Sequence, residues 1–220
     1  MDKLDFLSNL PEEERDIVVS LDCEYARSHE GKDLLVRAVL LDACGHVILD
    51  ELCMPTEVIA DMRTNIHGIS MDQIEYEQSD EQLKSTIEVL IKDKKVVGHE
   101  VGHDLRVLEI DHPWSMERDT AYKFSWTICP KFPNLKMLSK AKLGIDIQQK
   151  IHDPVENAKA VLMIYAKEYD FWENTLDSDT HQQRRLTYIK DDPFYCKKCD
   201  DACWNARQFR NHLKKHLMNK

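Results

Sequence analysis

The run Ile17-Val-Val-Ser-Leu-Asp-Cys-Glu24 constrains the fold most tightly, because it is apolar enough to be a buried strand and yet carries two acids. Side chains of an extended chain alternate between faces, so Asp22 and Glu24 project from the same one. Neighbouring carboxylates repel, and burying both is costly unless a cation lies between them. Hard oxygen donors of this kind suit Mg²⁺ or Mn²⁺. A solvated strand edge accommodates the same residues without a metal, so the pair alone leaves both readings open.

Asp16–Tyr25, Leu34–Asp42 and His46–Cys53 are strand-like runs separated by turns at Gly31 and Gly45, and they read as an antiparallel meander. Leu83, Ile87, Leu90 and Ile91 recur at helical spacing behind Ser79, which predicts an N-capped helix over Ser79–Lys92. Lys95–Gly98 reads as a short buried strand, followed by a helical pattern in Val101, Leu105, Leu108 and Ile110. Trp114–Asp119 reads as a further strand, and Leu135–Leu143 as a helix stopped at Gly144. Pro154–Trp172 reads as a long helix with proline in its first turn. The order βββαβαβαα predicts an α/β layered domain built on a mixed sheet.

With 42% apolar and 32% charged residues, the 220-residue chain has material for a real core, which excludes general disorder. Its most apolar stretch, Leu34–Met54, is broken by Arg37, Asp42, His46, Asp50 and Glu51. No membrane partner is therefore expected, since a span needs roughly 18 or more apolar residues. Met1–Glu14 is acidic and lacks the apolar core of an export signal, so a nuclear or cytoplasmic location is expected, the nucleus preferred. Cysteines in such a chain read as reduced thiols or metal ligands. Cys23, Cys44, Cys53 and Cys129 are scattered and are expected to be small buried hydrophobes. Trp114, Trp126, Trp172 and Trp204 are expected in core or edge packing, although tryptophans can also stack on bases.

Asp104 falls at the start of the helix that follows the Lys95–Gly98 strand, and His152 immediately precedes the long C-terminal helix. Ser20-Leu-Asp-Cys-Glu24, Val97-Gly-His with His103-Asp104, His112-Pro with Arg118-Asp-Thr120, Leu143-Gly with Ile147-Gln, and His152-x-x-Val-Glu156 follow one another along the chain. In this order they resemble the successive motifs of DEDDh 3′-to-5′ exonucleases. The segment Asp61-Met-Arg-Thr64 with His67-Gly-Ile69 is similar to a linking motif of the RNA exonuclease 4 and interferon-stimulated 20 kDa exonuclease-like groups. The resemblance runs from Asp16 to Trp172.

That resemblance implies a DnaQ-like, ribonuclease-H-like mixed sheet flanked by helices, and phosphodiester hydrolysis with two Mg²⁺ or Mn²⁺ ions. It assigns Asp22, Glu24 and Asp104 as metal ligands and His152 as the general base. It implies single-stranded nucleic acid as the partner, RNA favoured over DNA, and 5′-mononucleotides as the product. The family's fourth acid stands five residues after the histidine, where this chain has Asn157. Asparagine offers a neutral carbonyl oxygen to the metal site, so affinity and rate are expected to fall. On a helix neither Asp153 nor Glu156 is well directed to replace it.

Cys196-x₂-Cys199-x₁₂-His212-x₃-His216 has the spacing of a tetrahedral Zn²⁺ site in a small ββα module, with Phe194 and Phe209 as its core. It resembles a C2H2 zinc finger in which Cys203 replaces the usual aromatic, as a small core residue or a substitute ligand. From Phe194 onward the chain carries a net +5, against −15 for the remainder. This asymmetry fits a basic tail touching phosphates and equally a solvated helix face. The resemblance puts Asn205, Arg207, Gln208 and Asn211 on the face that would reach bases. The module could also serve only to fold a segment too small to fold without zinc.

The expected organisation is an N-terminal extension over residues 1–15, an exonuclease-like domain over 16–175, a polar linker over 176–193 and the zinc finger over 194–220. Two functions are compatible with it. One is an exonuclease assisted by the finger, and the other is a nuclease-fold protein, impaired at Asn157, that binds nucleic acid or a protein.

Overall fold

The computed structural model describes residues 10–124 and 133–176, and two short strands at 195–196 and 201–202. The chain divides into two compact units, Met1–Tyr169 and Asp170–Lys220. In the larger unit the meander forms as the alternation predicts. Strands β1 (Val18–Ser28), β2 (Asp33–Asp42) and β3 (Val47–Leu52) pair antiparallel, with Asp22 opposite Val39 and Glu24 opposite Arg37. β4 (Ile59–Asp61) pairs antiparallel with the far end of β1. Two short helices follow, α1 (Thr64–His67) and α2 (Met71–Ile74), and then α3 (Asp80–Ile91). β5 (Lys95–Gly98) lies parallel to β1, α4 (Val101–Val107) follows it, and β6 (Glu117–Asp119) lies parallel to β5. The sheet is therefore mixed, in the order β3-β2-β1-β5-β6. Helices α5 (Thr120–Lys123), α6 (Leu135–Leu143), α7 (Pro154–Lys167) and α8 (Tyr169–Glu173) complete the order.

The two faces of β1 build two layers. Val19, Leu21 and Cys23 point to one side, into a core with Leu83, Ile87 and Ile91 of α3 and Val101 and Leu105 of α4. On the other side Val39 and Leu41 of β2 pack on Ala158 of α7, and the Ser20 hydroxyl donates to the Ala158 carbonyl at 2.9 Å. Each fully buried Leu or Ile contributes about 1.5–3 kcal/mol, so this sandwich of helix, sheet and helix fixes the height of every β1 residue.

Local chemistry sets the ends of the helices. Ser79 accepts from the Gln82 N–H and Gln82 reaches back to Ser79, a complete capping box. Gly144 ends α6 in the left-handed region at φ +74, and Asp153 with Pro154 starts α7. Gly98 ends β5 for a different reason. A Cβ there would lie 2.6 Å from the Val101 Cβ and 3.3 Å from the Leu21 carbonyl, so only glycine lets α4 begin so close to the strand.

Several sequence expectations need correction. Only Glu117–Asp119 of the Trp114–Asp119 run is strand, because Pro113 starts a 3₁₀ turn over Trp114–Met116, and Trp114 itself is exposed. The long helix breaks at Glu168 into α7 and α8. Cys44 is exposed in the β2–β3 turn, whereas Cys23 and Cys53 are buried as expected. β4, α1, α2 and α5 went unread because segments of three or four residues carry too little periodicity. Cys129, Trp126, Trp204 and the linker around Ser178–Asp192 lie outside the described residues.

In the smaller unit β7 (Tyr195–Cys196) and β8 (Asp201–Ala202) form an antiparallel pair. Cys199, Cys203, His212 and His216 lie outside the described residues, and Cys196 is described only as strand backbone. Among the described residues no helix is long and apolar enough to cross a membrane.

Candidate active site

β5 pairs with β1 only through Val18, Val19 and Ser20, and then stops at Gly98. From there to Arg27, where β4 joins it, β1 is unpaired on this side, which opens a crevice at the carboxyl end of a parallel strand pair, a usual ligand position in open sheets. The next β1 residues on the α7 face are Asp22 and Glu24. A register shift between Glu24 and Tyr25 bends the strand directly after the acids. The crevice is a cavity of about 350 Å³ whose lining includes Asp22, Glu24, Tyr25, Asp104, Gln148, His152 and Asn157.

All five sequence-predicted nuclease residues thus meet in one place. Asp104 comes from the first turn of α4, and Asn157 from the first turn of α7. His152 sits just ahead of the Asp153 cap, and its backbone N–H donates to the Ile66 carbonyl at 2.8 Å, tying this loop to α1. Two residues of the lining, Tyr25 and Gln148, were assigned no role from the sequence. The Tyr25 hydroxyl donates to Asp104 Oδ1. Gln148 Nε2 donates to Asn157 Oδ1 at 3.0 Å, and Asn157 Nδ2 in turn donates to Asp22 Oδ2 at 3.2 Å. The Tyr25–Asp104 and Asn157–Asp22 bonds join residues far apart in the chain, and no spacing signals them.

The electrostatics are those of acids confined together. Burial, then the charges of Asp104 and Glu24, push the Asp22 carboxyl well above its ordinary range, and the Asn157 bond pulls it partly back. Burial likewise raises Asp104, against the opposing Tyr25 bond. Glu24 rises to about 7 through burial, with Arg37 across the ladder lowering it and Asp153 raising it. Burial lowers the His152 imidazole below its usual 6.5, with Lys136 acting in the same direction. His99, also in the lining, is pushed down to about 4 by burial. An acid set whose charged forms are this disfavoured, and which offers only hard oxygen atoms, fits a divalent cation at Asp22, Glu24 and Asp104. Asp42, Cys44 and His46 also come together, but Asp42 there accepts the Cys44 and His46 N–H groups that close the β2–β3 turn.

The same arrangement of strands and helices occurs in solved nucleases. The catalytic unit of Neurospora crassa Pan2, comprising protease and nuclease domains, superposes with a TM-score of 0.64 and 26% identity over 79% of this chain and 30% of that one. Among curated proteins, RNA exonuclease 4 of Neurospora crassa is 37% identical over 156 residues, 68% of this chain and 38% of the relative. RNA exonuclease 4 of Candida glabrata is 38% identical over 152 residues, 67% of this chain and 58% of the relative. The larger unit has the DEDD exonuclease fold. No family model matches the chain. This fold has the mixed sheet and flanking helices that the sequence motifs implied, and the chain spans between 38% and 58% of the length of these two relatives.

Proposed function

We propose that the protein is a metal-dependent 3′-to-5′ exonuclease acting on single-stranded RNA and releasing 5′-mononucleotides. The observation that carries this reading is the convergence of Asp22, Glu24, Asp104 and His152 on one cavity. The relatives' name, RNA exonuclease 4, and the RNA-bound state of a neighbouring fold support it. That neighbour is the Saccharomyces cerevisiae Pan2 module in complex with A7 RNA, with a TM-score of 0.64 and 21% identity over 79% of this chain and 31% of that one.

Asp22, Glu24 and Asp104 would hold Mg²⁺ or Mn²⁺, which when bound stabilises charge on the attacking and leaving oxygens of the phosphodiester. His152 would take the proton of the attacking water, a role that needs the neutral imidazole its burial favours. Tyr25 would steady Asp104, and the Ile66–His152 backbone bond would hold the base at the cavity edge. The Cys196, Cys199, His212 and His216 spacing supports a Zn²⁺-folded finger over residues 194–220 as an accessory grip on RNA, beyond an exonuclease domain over 16–175 and a linker over 176–193. A nuclear location accords with this reading.

One observation favours a second reading, a nuclease fold that binds RNA with little turnover. The fourth-acid position holds Asn157, with its amide N–H turned toward Asp22. The test is release of mononucleotides from 3′-labelled single-stranded RNA in Mg²⁺ and in Mn²⁺, with wild type, Asp22→Ala and Asn157→Asp. Wild-type turnover that Asp22→Ala abolishes supports the exonuclease. Silence of wild type with rescue by Asn157→Asp supports the second reading, and silence in all three overturns both site assignments.

A further inference from the structure

The hydrogen bonds around Asn157 determine what it offers a cation. Asn157 is 4% exposed, so its amide has no solvent to fall back on, and both ends are spoken for. Gln148 donates to its only acceptor at 3.0 Å, and its own N–H group is thereby turned to Asp22 Oδ2 at 3.2 Å. Turning the amide round would place donor against donor at Gln148 and oxygen against carboxylate at Asp22. The Gln148 backbone, at a positive φ of 53°, donates its N–H to Glu156 at 2.9 Å and so brings its side chain beside the first turn of α7. Asn157 therefore presents a donor to the cavity, and its carbonyl oxygen faces away from Asp22.

The Asn157 N–H takes up one lone pair of Asp22 Oδ2 and the Tyr25 hydroxyl one of Asp104 Oδ1, and the side chain of Asn157 turns no oxygen toward Asp22. A cation held by Asp22, Glu24 and Asp104 meets carboxylate oxygens only, whereas a second ion beside Asn157 would meet an N–H where it needs an oxygen.

We propose that the Gln148–Asn157 amide pair makes this a site for a single divalent ion, with Asn157 acting as a hydrogen-bond donor to Asp22 and not as a ligand. The inference rests on the reading of Asp22, Glu24 and Asp104 as the metal site. It is tested by titrating the full-length chain with Mn²⁺ and counting bound ions from the electron paramagnetic resonance signal of free Mn²⁺. A coupled-pair signal from bound Mn²⁺ provides a second readout.

Wild type is expected to bind one ion at the cavity, lost in Asp22→Ala, with no coupled-pair signal. Asn157→Asp is expected to bind two and to show that signal. Asn157→Leu, which fills similar space but has neither carbonyl nor N–H, is expected to keep the single ion, bound roughly tenfold more weakly (~1.4 kcal/mol) for want of the hydrogen bond to Asp22. Two ions in wild type, or loss of the ion in Asn157→Leu, would overturn the inference while leaving the metal site standing. No ion in wild type, or binding undiminished in Asp22→Ala, would overturn the metal site itself and the inference with it.

Discussion

The Tyr25 hydroxyl donates to the Asp104 carboxylate, joining β1 to the first turn of α4 in the lining of the cavity. The Tyr25 ring also packs edge-on against His103, with centroids 5.3 Å apart, so the phenol has little room to turn away. The bond lowers the pKa of Asp104 against the rise that burial imposes, and so keeps a carboxylate in the form a cation needs.

Tyr25→Phe removes that donor and leaves the ring. A hydrogen bond to a charged group is worth about 1.5–3 kcal/mol, so the Mn²⁺ concentration for half-maximal RNA cleavage should rise roughly tenfold or more. The pH midpoint of metal binding should move upward, because Asp104 then holds its proton more tightly. A purely structural role would lower the melting temperature and leave that midpoint in place.

Metal-free stability should fall as pH rises. Glu24 titrates near 4.5 unfolded and about 7 folded, and Asp22 and Asp104 shift in the same direction. Over that interval the native state binds more protons than the unfolded chain, so stability is fully present below about 4.5 and is lost as pH rises through about 7. Thermal melts in a chelator should show this decline, and Mg²⁺ should reverse it at pH 7.5 but not at pH 5. Asp22→Asn removes one of the repelling charges, and its chelated midpoint at pH 7.5 should rise by about 2–4 °C.

His152→Ala should reduce cleavage by about 10²–10⁴-fold, the usual contribution of a general base, with Mn²⁺ binding unchanged. In wild type at saturating metal, the rate should fall on the acid side of a midpoint below 6.5, as the imidazole becomes protonated. A His152→Ala rate within threefold of wild type would remove the histidine from the chemistry.

Gly68→Ala tests whether the α1 turn aligns His152. Gly68 has φ +77, and a Cβ there would lie 3.1 Å from Ile151 Cγ2, in the residue before His152. The left-handed conformation alone costs roughly 1–2 kcal/mol for alanine, measurable by urea unfolding. Because Ile66 holds the His152 N–H, the variant should also lose turnover more than metal affinity.

Much of this protein was determined by its sequence, because much of it is local. Alternation along β1 put Asp22 and Glu24 on one face, and the Ser79, Pro154 and Gly144 signals marked where helices start and stop. The Ser79, Pro154 and Gly144 signals depend on neighbours within a turn or a strand repeat, which any stretch of chain carries with it, whereas the Asp153 cap was read only from the structure. The tertiary structure alone decided what those residues meet. Asp22 and Asn157 are 135 positions apart, and Tyr25 and Asp104 are 79 apart. The end of β5 at Gly98 decides where the crevice opens, and the packing of α7 on β1 decides which atom of Asn157 faces Asp22. An asparagine is legible as a missing charge in the sequence, but its role as a donor arises only when Gln148 and Asp22 are brought to either end of its amide.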